Sequence, residues 1–297
     1  MRVSSNAVYN TIIGNLFKNS ERLLKAQVKV ATEKRINKPS DDPIGMGKVL
    51  DYRKRLASID QYQSNIAKGK AGIQMTETTL DMVSDLLNDA KEIAMEQSAG
   101  SVENATREIA AEQIASIREQ VLQLANTRLG GKYVFAGHKT STPAFLGNGS
   151  YDGDVGEKKI IIDENLEVKI NLTGEDIFPT TGPPDSNVFT VLDKLQAALE
   201  LPVYEQSTVA DQANLLEEAR DQVNIARASS ASIFKHLEGH DGRLDSFKLR
   251  IEDMLSKTED ADLATAIVEL QFEERSYEAA LSASARVMQP SLLNFLK

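Results

Sequence analysis

The last stretch of the chain carries a narrow apolar stripe. Alternating steps of four and three residues pick out Leu263, Ile267, Leu270, Glu274, Tyr277, Leu281, Ser284 and Met288. Most of these positions are apolar or aromatic. The stripe therefore reads as a coiled-coil seam rather than the broader face of a globular helix. Such a seam needs a second helix, from this chain or from a neighbouring one. The opening stretch repeats the pattern with Tyr9, Ile12, Leu16, Asn19, Leu23, Ala26 and Val30. Matched narrow seams at both ends predict an assembly device, with the rest of the chain looped out between them. Packing of the two seams only on each other, as an ordinary bundle edge, is the alternative. The narrow seams favour packing between molecules.

Between the ends the pattern stays helical, with one interruption. The first helix is expected from about Val8 to Arg35, stopped before Asn37-Lys38-Pro39, because a residue preceding proline is pushed out of the α region. Asp42 then caps a second helix with Pro43 in its first turn. That helix runs to about Ser98, which at 1.5 Å per residue makes it roughly 80 Å long. Ala99-Gly100-Ser101 breaks it. A third helix spans about Asn104 to Leu129 and is capped by Gly130-Gly131. From Lys132 to Phe178 the chain turns rich in Gly and β-branched residues. Strands are expected at 132–136, 158–162 and 167–172, with a turn at Asp163-Glu164-Asn165 and a closing loop at 180–186. A short helix at 188–199 follows. The seam pattern then returns over about 208–257, through Gly239 and Gly242, which mark a local weakness. Asp260-Ala261-Asp262 caps the last helix, and Pro290 bends or ends it.

The fold class predicted is mainly α. It is an elongated, coiled-coil-like bundle of the N- and C-terminal halves, with a small β-rich domain inserted at the tip. The expected segments are an assembly helix over 1–42, a rod over 43–131, the β insertion over 132–186, a second rod over 187–259 and a C-terminal assembly helix over 260–297. Terminal helix pairs with terminal helix, and rod with rod.

Composition narrows the function. Of 297 residues, 41% are hydrophobic but only 5% aromatic, with no Trp, so aliphatic seams rather than bulky aromatic cores dominate. The net charge of −10 and the lack of a compact basic patch argue against nucleic acid as a partner. No apolar run reaches membrane-spanning length. The opening residues have no apolar core or cleavage site of a secretory signal, so an exported chain is expected to use another route. Without cysteine there is no disulfide, thiolate metal site or cysteine nucleophile.

Candidate chemistry is sparse. His236 and His240 stand one helical turn apart, the spacing of a zinc pair, but His-Leu-Glu-Gly-His is not the His-Glu-x-x-His pattern, and His240 falls on a seam. Asp152-Gly153-Asp154 opens like a calcium loop, but Gly156 and Glu157 then break the pattern, which leaves a turn. Asn171-Leu172-Thr173 is a formal glycosylation acceptor. His138 stands alone. No phosphate loop or nucleophile–base arrangement is present. The reading is therefore of a protein that is not an enzyme and takes no cofactor or metal.

Particular residues also carry a family resemblance. Arg35-Ile36-Asn37 followed by Ser40-Asp41-Asp42-Pro43, behind a stretch with Asn10 and Leu16, resembles the start of bacterial flagellins and their relatives. Glu278-Ala279-Ala280-Leu281 and the run from Leu292 to Leu296 resemble the matching end. The chain length, the stretch Gly130 to Gly137 and Gly149 to Asp154 are more similar to the junction proteins of that superfamily than to flagellin. The resemblance implies an extracellular structural subunit of the flagellum, set in a layer between hook and filament. It also implies export by the flagellar type III route and terminal helices that order on assembly. The partners implied are further copies in a ring or helical layer, a neighbouring hook-associated junction protein, flagellin and an export chaperone. The seam expected to carry assembly is Tyr9, Ile12, Leu16, Leu23, Val30, Leu263, Ile267, Leu270, Tyr277, Leu281 and Met288. A short flagellin and a non-flagellar coiled-coil adaptor are the alternatives.

Overall fold

The structure is a computed structural model and describes residues 2–99, 103–179, 187–201 and 204–293. It is mainly helical, with one small β region. The expected break at Gly100-Ser101 and the loop at 180–186 lie outside the described residues.

The chain divides into two compact units. The first holds residues up to Ser58 and from Ser246 onward. It contains α1 (Arg2–Thr32), the start of α2 (Pro43–Ser98), the end of α6 (Gln206–Glu259) and α7 (Leu263–Leu293). Within it α1 packs against α7. Helix α2 starts as its sequence requires: the Asp42 carboxylate accepts the Gly45 amide at 2.9 Å, and Pro43 needs no partner for the N–H it lacks. Asp262 caps α7, accepting the Ala264 amide at 3.0 Å and the Thr265 hydroxyl at 2.9 Å. These bonds, from Thr265 first, hold its carboxyl below the usual carboxylate range. Helix α7 continues through Pro290 to Leu293, so that proline does not end it. Helix α1 ends at Thr32 rather than Arg35, because Glu33 turns to φ 59°.

The second unit runs from Ile59 to Asp245. The parts of α2 and α6 within it are antiparallel neighbours, tied by Lys70–Asp241 at 3.6 Å, Arg227–Asp81 at 2.5 Å and a Lys91–Glu217 ion pair. Helix α6 passes unbroken through Gly239 and Gly242. Helix α3 (Asn104–Ala125) packs on α5 (Val188–Glu200), whose Asn187 cap accepts the Phe189 amide at 2.9 Å. Both helices share one continuous core with α2, α6 and the β region.

The β region corrects the sequence reading in three places. Helix α3 stops at Ala125, four residues early, and Gly130-Gly131 is not its cap. With φ of 58° and 80°, the two glycines make the tight turn between β1 (Arg128–Leu129) and β2 (Lys132–Tyr133). Two positive φ values are what a two-residue hairpin of the favoured twist requires, and glycine supplies them without steric cost. Strand β2 is accordingly only two residues long. The second hairpin pairs β3 (Lys159–Asp163) with β4 (Leu166–Lys169), antiparallel and bulged between Ile161 and Asp163. A short helix, α4 (Gly174–Ile177), follows where the sequence pattern predicts none. Thr173 and Asp176 form a capping box around its start, a signal present in the sequence.

Four aromatic rings fill the centre of this core. Phe145 lies 5.2 Å from Tyr151, 5.5 Å from Phe178 and 5.4 Å from Phe189, ring centre to ring centre. The Tyr151 hydroxyl donates to the carbonyls of Phe135 and Asp154. Burial pushes it up to about 12. The β3–β4 hairpin lies on α2 and α6 at Gly69, where a Cβ would come within 2.8 Å of Ile160 Cδ1. Asn65 donates to the Ile161 carbonyl at 2.9 Å beside it.

Candidate assembly surface

The terminal pair is where the predicted seam falls. Along α1, Ile12, Leu16, Asn19, Leu23 and Val30 are half-buried and Ala26 is buried. Along α7 the inward face is Ala266, Leu270, Glu273, Tyr277, Ala280 and Ser284, with Ala266 buried and the rest half-buried. Lys29 and Glu269 bridge the two helices at 2.6 Å. The spacing on each helix alternates by three and four, as helices packed by knobs into holes require.

The predicted residues divide between two faces. Ile12, Leu16, Leu23, Val30, Leu270 and Tyr277 line the contact between α1 and α7. Tyr9, Leu263, Ile267 and Leu281 do not; they stand exposed to solvent at 41–49%. The Met288 side chain lies outside the described residues. The exposed set is joined by Phe17, Leu24 and Val28 on α1 and by Val268 and Phe272 on α7. Phe17 and Phe272 are 71% and 67% exposed, which is unusual for rings of that size.

Sequence reasoning missed Ala266, Glu273 and Ala280 as the inward positions and the exposed phenylalanines as outward ones. The signal was available. Helix α7 carries more apolar positions than one seam holds. Its small residues lie one position away from the large ones, where a neighbouring helix approaches closely. A pair that covers one stripe and leaves a second bare is suited to packing against further helices, since a bare apolar stripe gains about 25 cal/mol per Å² when another surface covers it.

The other sequence candidates resolve into structural roles. His240 is buried, with Nε2 3.6 Å from an Asp163 oxygen, while His236 is exposed. No cluster of three metal-ligating side chains occurs among the described residues. The Asp154 carboxylate accepts the amides of His138 at 2.7 Å and Gly156 at 2.8 Å, so it organises a loop. Asn171 is buried, and its side chain bonds the backbone at Lys158 and Gly156. No helix among the described residues is long and apolar enough to cross a membrane.

Comparison with known proteins places this architecture. Residues 3–140 match the bacterial flagellin N-terminal helical region. The flagellar hook-associated protein 3 of Escherichia coli K12 is 26% identical over 317 residues, covering all of both chains. That of Salmonella typhimurium LT2 is 29% identical over 217 residues, covering 68% of each. Among solved structures, a putative flagellar hook-associated protein from Vibrio parahaemolyticus superposes with a TM-score of 0.69 at 26% identity. The match covers 74% of this chain and 100% of that one. A helical chain with paired ends and a small β insertion of this kind is a structural subunit of the flagellin superfamily. Within that superfamily it is similar along its whole length to hook-associated protein 3, and its role is that of a structural subunit. Its place is the extracellular flagellum, among the hook and filament proteins.

Proposed function

We propose that this chain forms the layer joining hook to filament in the bacterial flagellum, and that copies of it polymerise through the α1/α7 pair. The observation that carries the assembly mechanism is the set of exposed apolar side chains on α1 and α7, where Phe17, Leu24, Ile267 and Phe272 stay in water. Burying such a set against neighbours drives association; the inner stripe keeps the two ends of one subunit together. The partners that fit are further copies in a ring or helical layer, an adjacent hook-associated protein on one side and flagellin on the other. Export through the flagellar type III channel, with a chaperone covering the apolar ends before delivery, fits the same surface. The full-length match to the Escherichia coli relative favours the junction over a short flagellin.

Deletion of the gene tests this. The expected outcome is cells with hooks but no filaments and intact flagellin shed into the medium. Hooks without filaments and no flagellin in the medium would make this chain the filament subunit instead. Normal filaments would contradict a flagellar role altogether.

A further inference from the structure

The two crossings that lead into the terminal pair are stitched together. One crossing joins α1 to α2; the other joins α6 to α7. The amides of Arg35 and Ile36 donate to the Glu259 carbonyl at 2.7 and 3.3 Å, and the Ala261 amide donates to the Glu33 carbonyl at 2.8 Å. Lys34 and Asp260 pair as an isolated antiparallel bridge. Arg35 adds a guanidinium bond to the Thr258 carbonyl at 2.7 Å. Beneath this ladder the Glu259 side chain is buried, and one of its oxygens accepts from Lys34 Nζ at 2.7 Å and from Arg53 Nη2 at 2.5 Å. Lys34 belongs to the first crossing and Arg53 to α2. A single buried carboxylate thus ties three segments of the chain. Glu33 is held at φ 59°, a conformation that a residue with a side chain keeps only where its surroundings enforce it.

The α1/α7 contact by itself sets register weakly. Among the described side chains each helix buries one alanine there, and the rest of the seam repeats with the same three-four period, so a slip of one repeat finds similar partners. The Lys29–Glu269 pair is half-exposed and discriminates little. Register is fixed where a buried, directional polar contact exists, and the stitch at the adjoining ends of α1 and α7 is such a contact. We infer that the stitch between residues 33–36 and 258–261 is a register lock, with Glu259 its positioning residue. It makes each subunit offer one defined outer stripe to its neighbours. The lock deepens the assembly function proposed above and rests on that reading for its purpose, but it acts within one chain.

The absence of native cysteine makes disulfide mapping direct. In the full-length chain, Asn19→Cys with Ala280→Cys reports the observed register, since both positions line one groove between α1 and α7. Asn19→Cys with Glu273→Cys reports a slip of one repeat. The first pair is expected to oxidise much faster than the second. Glu259→Gln should lower that ratio by roughly fivefold or more, the scale of a typical coupling between sites, and Glu259→Asp should recover part of it. Fraying of the two helices would also lower the ratio, but with a loss of helicity by circular dichroism, whereas a changed register keeps the helicity. An unchanged ratio in Glu259→Gln overturns the lock. If that variant loses helicity by circular dichroism, Lys34→Gln and Arg53→Gln carry the same test: a lowered ratio supports the lock, and an unchanged ratio in both overturns it. The ratio is read on the isolated chain. Normal filaments after gene deletion would therefore remove the junction reading while the lock stood, and an unchanged ratio would do the reverse.

Discussion

Helices α3 and α5 bury a dense apolar face, from Ala110 through Ile114 and Val121 on one and from Phe189 through Leu192 to Leu199 on the other. Helices α1 and α7, each 31 residues long, bury only Ala26 and Ala266 among their described side chains. The longer pair thus buries less. Helix length alone stabilises little in water; a packed face does. The α3/α5 region resembles a finished globular core, with aromatic rings and a capped β segment closing it. The terminal pair has one half-buried face, where Ala26 and Ala266 are the buried residues among the described side chains, and leaves large side chains such as Phe17 and Phe272 exposed. Stability of the first comes from within the chain, and on the proposed assembly that of the second is completed by other chains.

The sharpest way to break this comparison is to truncate one residue on each side. Phe145→Ala is expected to cost about 3–5 kcal/mol, because it empties the centre of the aromatic cluster. It should lower the urea midpoint markedly, followed by tyrosine fluorescence. Phe272→Ala, on the exposed face of α7, should cost no more than about 1 kcal/mol in the isolated chain, yet abolish incorporation into flagella. Equal losses of stability would remove the distinction.

Two glycines of α2 sharpen it further. Alanine within a helix gains about 1 kcal/mol over glycine, but overpacking costs about 1–3 kcal/mol. At Gly69, a Cβ meets Ile160 at 2.8 Å, so Gly69→Ala should destabilise; at Gly72 nothing lies within 4 Å, so Gly72→Ala should stabilise. Opposite shifts in melting temperature check both.

A smaller effect concerns pH. Burial, with Arg243 next and the exposed His236 last, pushes His240 below its ordinary 6.5, against the opposing pull of Asp163. The folded chain then binds fewer protons than the unfolded one. Its stability contribution is therefore present above the unfolded value and is lost as pH falls through it. Urea midpoints should decline from about pH 8 to about pH 5, and His240→Gln should flatten that slope. The smallest effect is at Lys29–Glu269. Breaking this half-exposed pair should cost about 0.2–1 kcal/mol, and added salt should erase the difference.

Much of this architecture was legible. Pro39, the Asp42-Pro43 start and the Asp262 cap are strong local signals, and the seam period carried α6 correctly across Gly239 and Gly242. Local signals failed where two readings share one pattern. Gly130-Gly131 serves equally as a helix cap or a hairpin turn, and only pairing of Arg128 with Tyr133 decides. The two-residue strands have no measurable period. The stripe period of α7 picks out Leu263, Ile267, Leu270, Tyr277, Leu281 and Ser284 together, and only burial separates the half-buried Leu270, Tyr277 and Ser284 from the exposed rest. Ala266, Ala280 and Ser284 face α1 because small side chains let two helices approach closely. The Glu259 stitch had no sequence signal, since its partners Lys34 and Arg53 lie more than 200 positions away.

Amide hydrogen exchange on the full-length monomer, read segment by segment, tests the central claim most directly. Slow exchange along α3, α5 and the β region, with fast exchange along α1 and α7 that slows when the chain joins a flagellum, is the predicted result. Equal protection of both helical pairs in the monomer would contradict it. The terminal pair would then be complete within one chain and would need no neighbour.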